Sequence, residues 1–359
     1  MFLNTIVEGH VLKVLKEFSD DSIDCVITSS PYYGLRSYNT EPQIWGGQEN
    51  CNHEWNNFVH KGISGGTKSS KVQIKDKDNF QIVPNSQQSV CSLCGGWRGE
   101  LGQEPTPKMF IDHLVEIFME CARVLKPEGT MWINISDSYA ANRKYQVDGT
   151  KQTSDSQPKI KQPQAKDFGI SEKSLIGIPD RLKIALIDNG LICRNEIIWN
   201  RPNQMPSSAK DRFTNDYEKL YFFTKSKKYY FEQQLEPYTK PMNRWAGDIL
   251  IADGKSEWDD GTGQSSYRNR NMRPNPNGKN MRSVWSINTV PSKIKHFALF
   301  PEKLITRPIL AGCPKNGIVL DPFIGSGTTA RVAKKLGRNY VGIELNPEYV
   351  SMARQSLMD

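Results

Sequence analysis

The sequence predicts an α/β fold: a doubly wound, mostly parallel sheet with helices on both faces, carrying a loop-rich insert. Three observations predict it. Apolar runs of strand length alternate with segments of helical periodicity towards both ends of the chain. Two of these runs, Asp24-Cys25-Val26-Ile27-Thr28 and Ile318-Val319-Leu320, lead directly into tight loops. Those loops, Ser29-Ser30-Pro31-Tyr32-Tyr33 and Asp321-Pro322-Phe323-Ile324-Gly325-Ser326-Gly327-Thr328-Thr329-Ala330, stand where an open α/β sheet places its ligands.

Asn4 to Val7 reads as a strand, Val11 to Phe18 as a helix and Ile23 to Thr28 as the next strand. From about Asn39 to Pro107 the apolar periodicity fails and Gly, Ser, Lys and Asn dominate. A stretch of that length inside a compact domain is expected to be functional or independently stabilised. Met109, Phe110, Leu114, Ile117, Phe118, Cys121 and Leu125 share one helical face; Lys126-Pro127-Glu128-Gly129 ends the helix, and Met131 to Ile135 reads as a buried strand. Ala141 to Ile170 is polar and reads as a mobile, solvated stretch. A helix from Pro179 to Ile187 stops at Gly190, and Leu191 to Trp199 is a strand. Leu220 to Thr224 and Tyr229 to Glu232 flank Lys225-Ser226-Lys227-Lys228 as in a hairpin, and Glu236 to Met281 reads as loop. The last block alternates helix, strand, helix, strand and helix: Pro301 to Cys313, Ile318 to Leu320, Thr328 to Leu336, Tyr340 to Glu344 and Pro347 to Leu357.

Composition sets bounds. In 359 residues, Lys+Arg of 47 against Asp+Glu of 39 gives a net charge of +8 and suits a polyanionic partner, although ordinary basic proteins share that bias. No apolar run approaches the ~20 residues of a membrane span. Met1-Phe2-Leu3-Asn4 shows no basic segment followed by an apolar one, so a cytoplasmic protein is expected. Seven cysteines in such a chain are expected to be thiols or metal ligands rather than disulfides.

Gly325-Ser326-Gly327-Thr328-Thr329-Ala330 fits G-x-G-x-x-A, with Glu344 at the end of the next strand. In that arrangement glycines let a ligand approach backbone N–H groups at a helix start while the carboxylate accepts from ribose hydroxyls. A dinucleotide enzyme is one reading. Two features favour S-adenosylmethionine instead: Asp321-Pro322-Phe323-Ile324 separates the strand from the first glycine, and no second mononucleotide half follows.

Asp-Pro-Phe-x-Gly-x-Gly-Thr-Thr, preceded by Ser29-Ser30-Pro31-Tyr32-Tyr33-Gly34-Leu35-Arg36, resembles the DNA amino-methyltransferase family in the subgroup whose catalytic motif comes first. The resemblance covers most of the chain except two long inserts, and it implies a Rossmann-like methyltransferase core. It places Asp321, Pro322, Phe323, Gly325, Gly327, Thr328 and Glu344 around S-adenosylmethionine, with Asp321 near its sulfonium and amino groups. His296 and Phe300, in His296-Phe297-Ala298-Leu299-Phe300-Pro301, would line the methionine end. Ser29, Ser30, Pro31 and Tyr32 become the catalytic loop. The Ser29 hydroxyl and the Ser30 carbonyl would grip the hydrogens of an exocyclic amine, and Tyr32 would stack on a base rotated out of the duplex. Ser30 departs from the family's first proline, which frees φ without removing the carbonyl. Glu8-Gly9-His10 stands where the family has Gly-Asp, and His10 reads as structural.

Ser in place of Asp before this loop favours N4 of cytosine over N6 of adenine. A DNA-binding protein with a decayed site is the reading from another class. Double-stranded DNA is the expected partner, and the natural setting is protection of host or phage DNA, with or without a companion restriction endonuclease. Arg36, Arg268, Arg270 and Arg273 are the candidate DNA contacts. Cys51-x-His53 and Cys91-Ser92-Leu93-Cys94 bracket the first insert and could close a tetrahedral structural zinc site, with His60 in place of His53 or unrelated thiols as alternatives. The resulting division is 1–38 with 108–235 as the catalytic half, 39–107 as the cysteine insert, 236–290 as target recognition and 291–359 as the cofactor half.

Overall fold

The computed structural model of the chain describes residues 3–34, 38, 40–60, 80–82, 89–140, 169–238, 275, 277–289 and 301–358. Arg36, Arg268, Arg270, Arg273, His296 and Phe300 lie outside the described residues, as do all but the last two residues of the polar stretch from Ala141 to Ile170.

Fifteen strands are described: β1 (Thr5–Glu8), β2 (Ile23–Ser29), β3 (Gln43–Trp45), β4 (Trp55–His60), β5 (Phe80–Ile82), β6 (Ser89–Cys91), β7 (Trp97–Gly99), β8 (Leu125–Ile135), β9 (Ile192–Asn200), β10 (Tyr217–Thr224), β11 (Leu235–Glu236), β12 (Lys279–Asn280), β13 (Val284–Ser286), β14 (Ile318–Asp321) and β15 (Asn339–Glu344). The helices are α1 (Val11–Leu15), α2 (Pro107–Val124), α3 (Ile178–Asp188), α4 (Glu302–Gly312), α5 (Thr328–Lys335) and α6 (Pro347–Gln355).

Eight strands form one sheet in the order β1-β15-β14-β2-β8-β10-β9-β13. Pairing is parallel from β1 through β8 and again at β9–β13, while β10 runs antiparallel to both β8 and β9. Helices cover both faces, and β8 shows why. Its alternate residues Met131, Ile133 and Ile135 join the core under α1, α2 and α3. Thr130 and Trp132 face the other way, so close to α4 that a Cβ on Gly312 would lie 2.2 Å from Thr130 Oγ1. Two buried aspartates fasten the central strands. Asp24, at the start of β2, accepts from Ile318 N at 2.8 Å and pairs with Lys126 at 2.7 Å. Asp321 does the corresponding work at the other end of β14.

One expectation needs correction. The hairpin after β10 does not form, because both edges of that strand are already taken by β8 and β9. Tyr229 and Phe231 instead place their rings 5.7 Å from the Phe222 ring. The cysteine insert, read as loop-rich, also carries short strands: β3-β7-β6-β4-β5 form a second, five-stranded sheet. Trp45 and Trp97 are buried, and their rings lie 6.1 and 5.8 Å from His113 of α2.

Residues 232–283 form a separate compact unit. Its described part is the short β11–β12 ladder, in which Glu236 pairs with Lys279 at 3.4 Å and Arg282 at 2.7 Å.

Candidate active site

The carboxyl ends of β1, β15, β14 and β2 surround a cleft of about 1090 Å³, open to solvent at its mouth. Pro322, Phe323, Gly325, Ser326, Thr328 and Glu344 line it on one side, and Ser29, Ser30, Pro31 and Tyr32 on the other. The two segments singled out in the sequence therefore share one cavity. The insert contributes as well, through Gln43, Trp45, Gly99 and Leu101.

Asp321 is not part of that wall. Its carboxylate is fully buried and accepts from Thr28 Oγ1 at 2.6 Å, Thr329 Oγ1 at 2.6 Å and Phe323 N at 3.0 Å. Burial pushes its pKa up to about 6, against the pull of those donors. Asp321 fastens the glycine loop to β2. Glu344 does face the cleft. It accepts from Gly325 N at 3.0 Å and Asn346 N at 2.9 Å, and burial holds its carboxyl above the usual range.

The two glycines do different work. Gly325 has φ +52 and open space where a Cβ would point, so the cleft alone claims that room. Gly327 has φ +88, and a Cβ there would stand 3.0 Å from Ser356 Oγ and 3.1 Å from Ala353 Cα. Gly327 lets α5 close on the C-terminal helix.

His10 caps α1: its Nδ1 accepts from Leu12 N at 3.2 Å. Burial, with Lys13 nearby, lowers its pKa to about 4, so the ring is neutral and the proton sits on Nε2. Among the described residues that Nε2 is buried without a partner, and so are the hydroxyls of Ser30 and Ser326. All three residues line the cleft. A buried polar group left unpaired costs about 1–3 kcal/mol, so this cavity suits a ligand with polar atoms to pair with these three groups.

In the Ser29–Tyr32 loop, Ser29 Oγ donates to Asn134 Oδ1 at 3.1 Å. The Asn134 amide cannot turn round, because its Nδ2 donates to Lys219 O at 3.2 Å. The single hydrogen of Ser29 is thereby engaged, and its lone pairs remain as acceptors. Tyr32 donates to Glu218 Oε2 at 2.7 Å, and Glu218 is held by Arg201 at 2.8 Å. Burial and the Glu218 carboxylate raise the Tyr32 phenol well above its ordinary range, so it stays protonated. Gly102 backs this loop: at φ +94, a Cβ would stand 2.9 Å from Tyr32 O. Sequence reasoning missed Asn134, Glu218 and Arg201, which arrive from three other segments.

Tyr32 also borders a second cleft of about 1210 Å³, lined by Asp137, Arg201, Arg212, Asn215 and Glu218 among others. Within it, Arg201 Nε and Asn215 Oδ1 are buried without partners among the described residues.

Cys51, His53, Cys91 and Cys94 come together in the insert, their ligand atoms all within 4.8 Å of one another. Cys51 Sγ lies 3.8 Å from Cys91 Sγ, and Cys94 Sγ lies 3.4 Å from His53 Nδ1. Bond lengths to tetrahedral zinc require about 3.8 Å for sulfur–sulfur and about 3.6 Å for sulfur–nitrogen. The donor set fits that ion.

A family profile described as DNA methylase matches residues 23–355. The type II methyltransferase M.Cfr9I of Citrobacter freundii is 35% identical over 97% of this chain and 86% of its own length. M.XycI of Xanthomonas campestris pv. cyanopsidis is 34% identical over 99% and 87%. Among solved structures, the PvuII DNA methyltransferase (cytosine-N4-specific) aligns with 100% of this chain and 88% of its own, at a TM-score of 0.55 and 16% identity, a likeness of fold.

Proposed function

The chain belongs to the DNA methylase family of N6- and N4-amino-methyltransferases, and we propose that it transfers a methyl group from S-adenosylmethionine to N4 of a cytosine rotated out of duplex DNA. The observation that carries this reading is Ser29, an acceptor with its hydrogen engaged by Asn134, sharing one cleft with the glycine loop. Family membership removes the dinucleotide enzyme as a competitor.

When bound, S-adenosylmethionine supplies an electrophilic methyl group on a cationic sulfonium. Glu344 would hold its ribose, Phe323 would pack on it, and the unpaired Ser326 hydroxyl and His10 Nε2–H would take its polar atoms. An exocyclic amine is a poor nucleophile because its lone pair is delocalised into the ring. Ser29 Oγ accepts one of its hydrogens and the Ser30 carbonyl the other, drawing the nitrogen towards tetrahedral geometry. Tyr32, its hydroxyl tied to Glu218, presents a fixed ring for the base to stack on. No strong base is required, since the methylated amine is acidic enough to release its proton afterwards.

Ser rather than Asp at residue 29 supports cytosine over adenine. Incubation with labelled S-adenosylmethionine and mixed-sequence DNA, followed by nucleoside chromatography, is expected to yield N4-methyldeoxycytidine. N6-methyldeoxyadenosine would move the target to adenine, and cofactor binding without methyl transfer would favour a decayed, DNA-binding protein. The same reading assigns 1–38 with 108–235 to catalysis, 236–290 to target recognition and 291–359 to the cofactor, in a cytoplasmic enzyme acting with or without a companion endonuclease. Cys51, His53, Cys91 and Cys94 would hold a structural zinc.

The two glycines give a paired forecast. Gly325→Ala should leave melting within a few degrees, since only the left-handed φ costs about 1–2 kcal/mol, yet S-adenosylmethionine affinity should fall by tenfold or more. Gly327→Ala should melt markedly lower even without ligand. Thermal scans and calorimetric titration check both, and full affinity in Gly325→Ala would count against the cofactor assignment.

A further inference from the structure

The connection between β9 and β10, residues 201–216, is fastened along its length. Arg201 N donates to Asp216 O at 2.7 Å, and Ser207 N to Thr214 Oγ1 at 3.0 Å. Asp211 pairs with Lys173 at 2.8 Å, and the Arg212 guanidinium lies 3.4 Å from the centre of the Tyr139 ring. On this pinned loop Phe213 is 98% exposed. Its two neighbours, Arg212 and Thr214, line the second cleft, so Phe213 projects from that cleft's rim. Met205, another lining residue, is 81% exposed.

A single exposed apolar side chain needs no explanation by itself. Three further facts give this one a role. Its two neighbours line a cleft that Tyr32 also lines. That cleft holds a buried donor, Arg201 Nε, and a buried acceptor, Asn215 Oδ1, neither of which has a partner among the described residues. The loop, moreover, is tied on both sides of Phe213, by Asp211 and Arg212 before it and Thr214 after it. A base rotating into the cleft leaves a gap in the duplex, and an exposed aromatic ring carried between two cleft-lining residues is placed to fill it.

Resting on the methyltransferase reading above, we propose that Phe213 is the wedge that enters the base stack when the target nucleotide turns into the second cleft, which makes residues 201–216 a DNA-contacting element. Aromatic stacking then offsets part of the stacking and pairing lost by the flipped base. The Arg212–Tyr139 contact holds the wedge at a fixed height over the cleft.

The test compares Phe213→Ala and Phe213→Trp with the unaltered protein in single-turnover methylation. The substrates are two duplexes carrying the site found by methylation-sensitive sequencing, one with the target base paired and one with it opposite an abasic position. Phe213→Ala should be roughly 10- to 100-fold slower on the paired duplex. Its deficit should shrink to within about threefold opposite the abasic position, where extrusion is cheap. Phe213→Trp should stay close to the unaltered protein, and S-adenosylmethionine affinity should not change. Equal slowing on both duplexes would make Phe213 an ordinary DNA contact and overturn the wedge, as would no slowing at all. An unaltered protein that methylates neither duplex would bring down the methyltransferase reading itself.

Discussion

Ser29→Ala is expected to slow methyl transfer about 100- to 1000-fold while S-adenosylmethionine affinity stays within about twofold, the pattern of a group that acts on the transition state. Ser29 lies at the end of β2, directly opposite Asn134 of β8. Its hydroxyl has one hydrogen, and Asn134 Oδ1 takes it at 3.1 Å. Removing the hydroxyl takes away one of two acceptors for the amine. Asn134→Ala should reproduce part of that loss, roughly tenfold, by letting the Ser29 hydroxyl rotate and offer its hydrogen to the amine instead. Tyr32→Ala should weaken capture of the flipped base by the roughly 1–3 kcal/mol of a base–aromatic stack. Tyr32→Phe keeps the ring and loses only the bond to Glu218, so it should be the milder change.

Ser30 tests the assignment from the other side. Its carbonyl is the second acceptor in this scheme, and its N–H donates to Asn134 O at 3.3 Å. Ser30→Pro restores the loop usual in the family and removes only that long bond, so the rate should hold or rise. The Ser30 hydroxyl, however, is buried at the cleft and unpaired among the described residues. A dead Ser30→Pro beside an active Ser29→Ala in single-turnover assays would mean that this hydroxyl, and not that of Ser29, grips the amine.

The parallel half of the sheet could be read from the chain because each element carries its own punctuation. Strand β14 stops at Asp321-Pro322, α5 begins after Gly327, and Asn346-Pro347 opens α6 with the Asn346 side chain accepting from Glu348 N at 2.9 Å. The glycine loop and the Ser29–Tyr32 loop were legible for the same reason. What stayed hidden depends on partners distant in sequence. Strands β3, β6 and β7 have three residues each, too few to show a period, and exist through pairing and two buried tryptophans. Tyr229 to Glu232 mimicked a strand because its rings are apolar on one face, although no free sheet edge was left for it. Asn134 and Glu218 reach the active site only through the register of β8 and β10 against β2, which nothing local in their own segments reveals.

Replacing Cys91 and Cys94 together by serine should remove about one zinc per chain and unfold the insert while the eight-stranded sheet survives. Strands β6 and β7 are joined by Ser92 to Gly96, a turn held by Cys91 N to Gly96 O at 2.7 Å and Gly95 N to Cys91 O at 3.0 Å. These few backbone bonds would be asked to hold a five-stranded sheet of very short strands, whereas a structural zinc contributes on the order of 10–16 kcal/mol. The loss should also reach the cofactor. Trp45 of β3 lines the first cleft, and its ring centre lies 4.4 Å from that of His10. The segment following β7 carries Gly102, packed against Tyr32, and Glu104, whose buried carboxylate pairs with His113 at 3.0 Å. Metal loss should therefore weaken S-adenosylmethionine binding about tenfold or more, although none of the four ligands lines the cleft. Elemental analysis, near-ultraviolet circular dichroism of Trp45 and Trp97, and calorimetric titration read the three effects separately. Protein purified without chelator that holds no stoichiometric metal, yet keeps its dichroism and full cofactor affinity, would show that the four side chains need no ion between them.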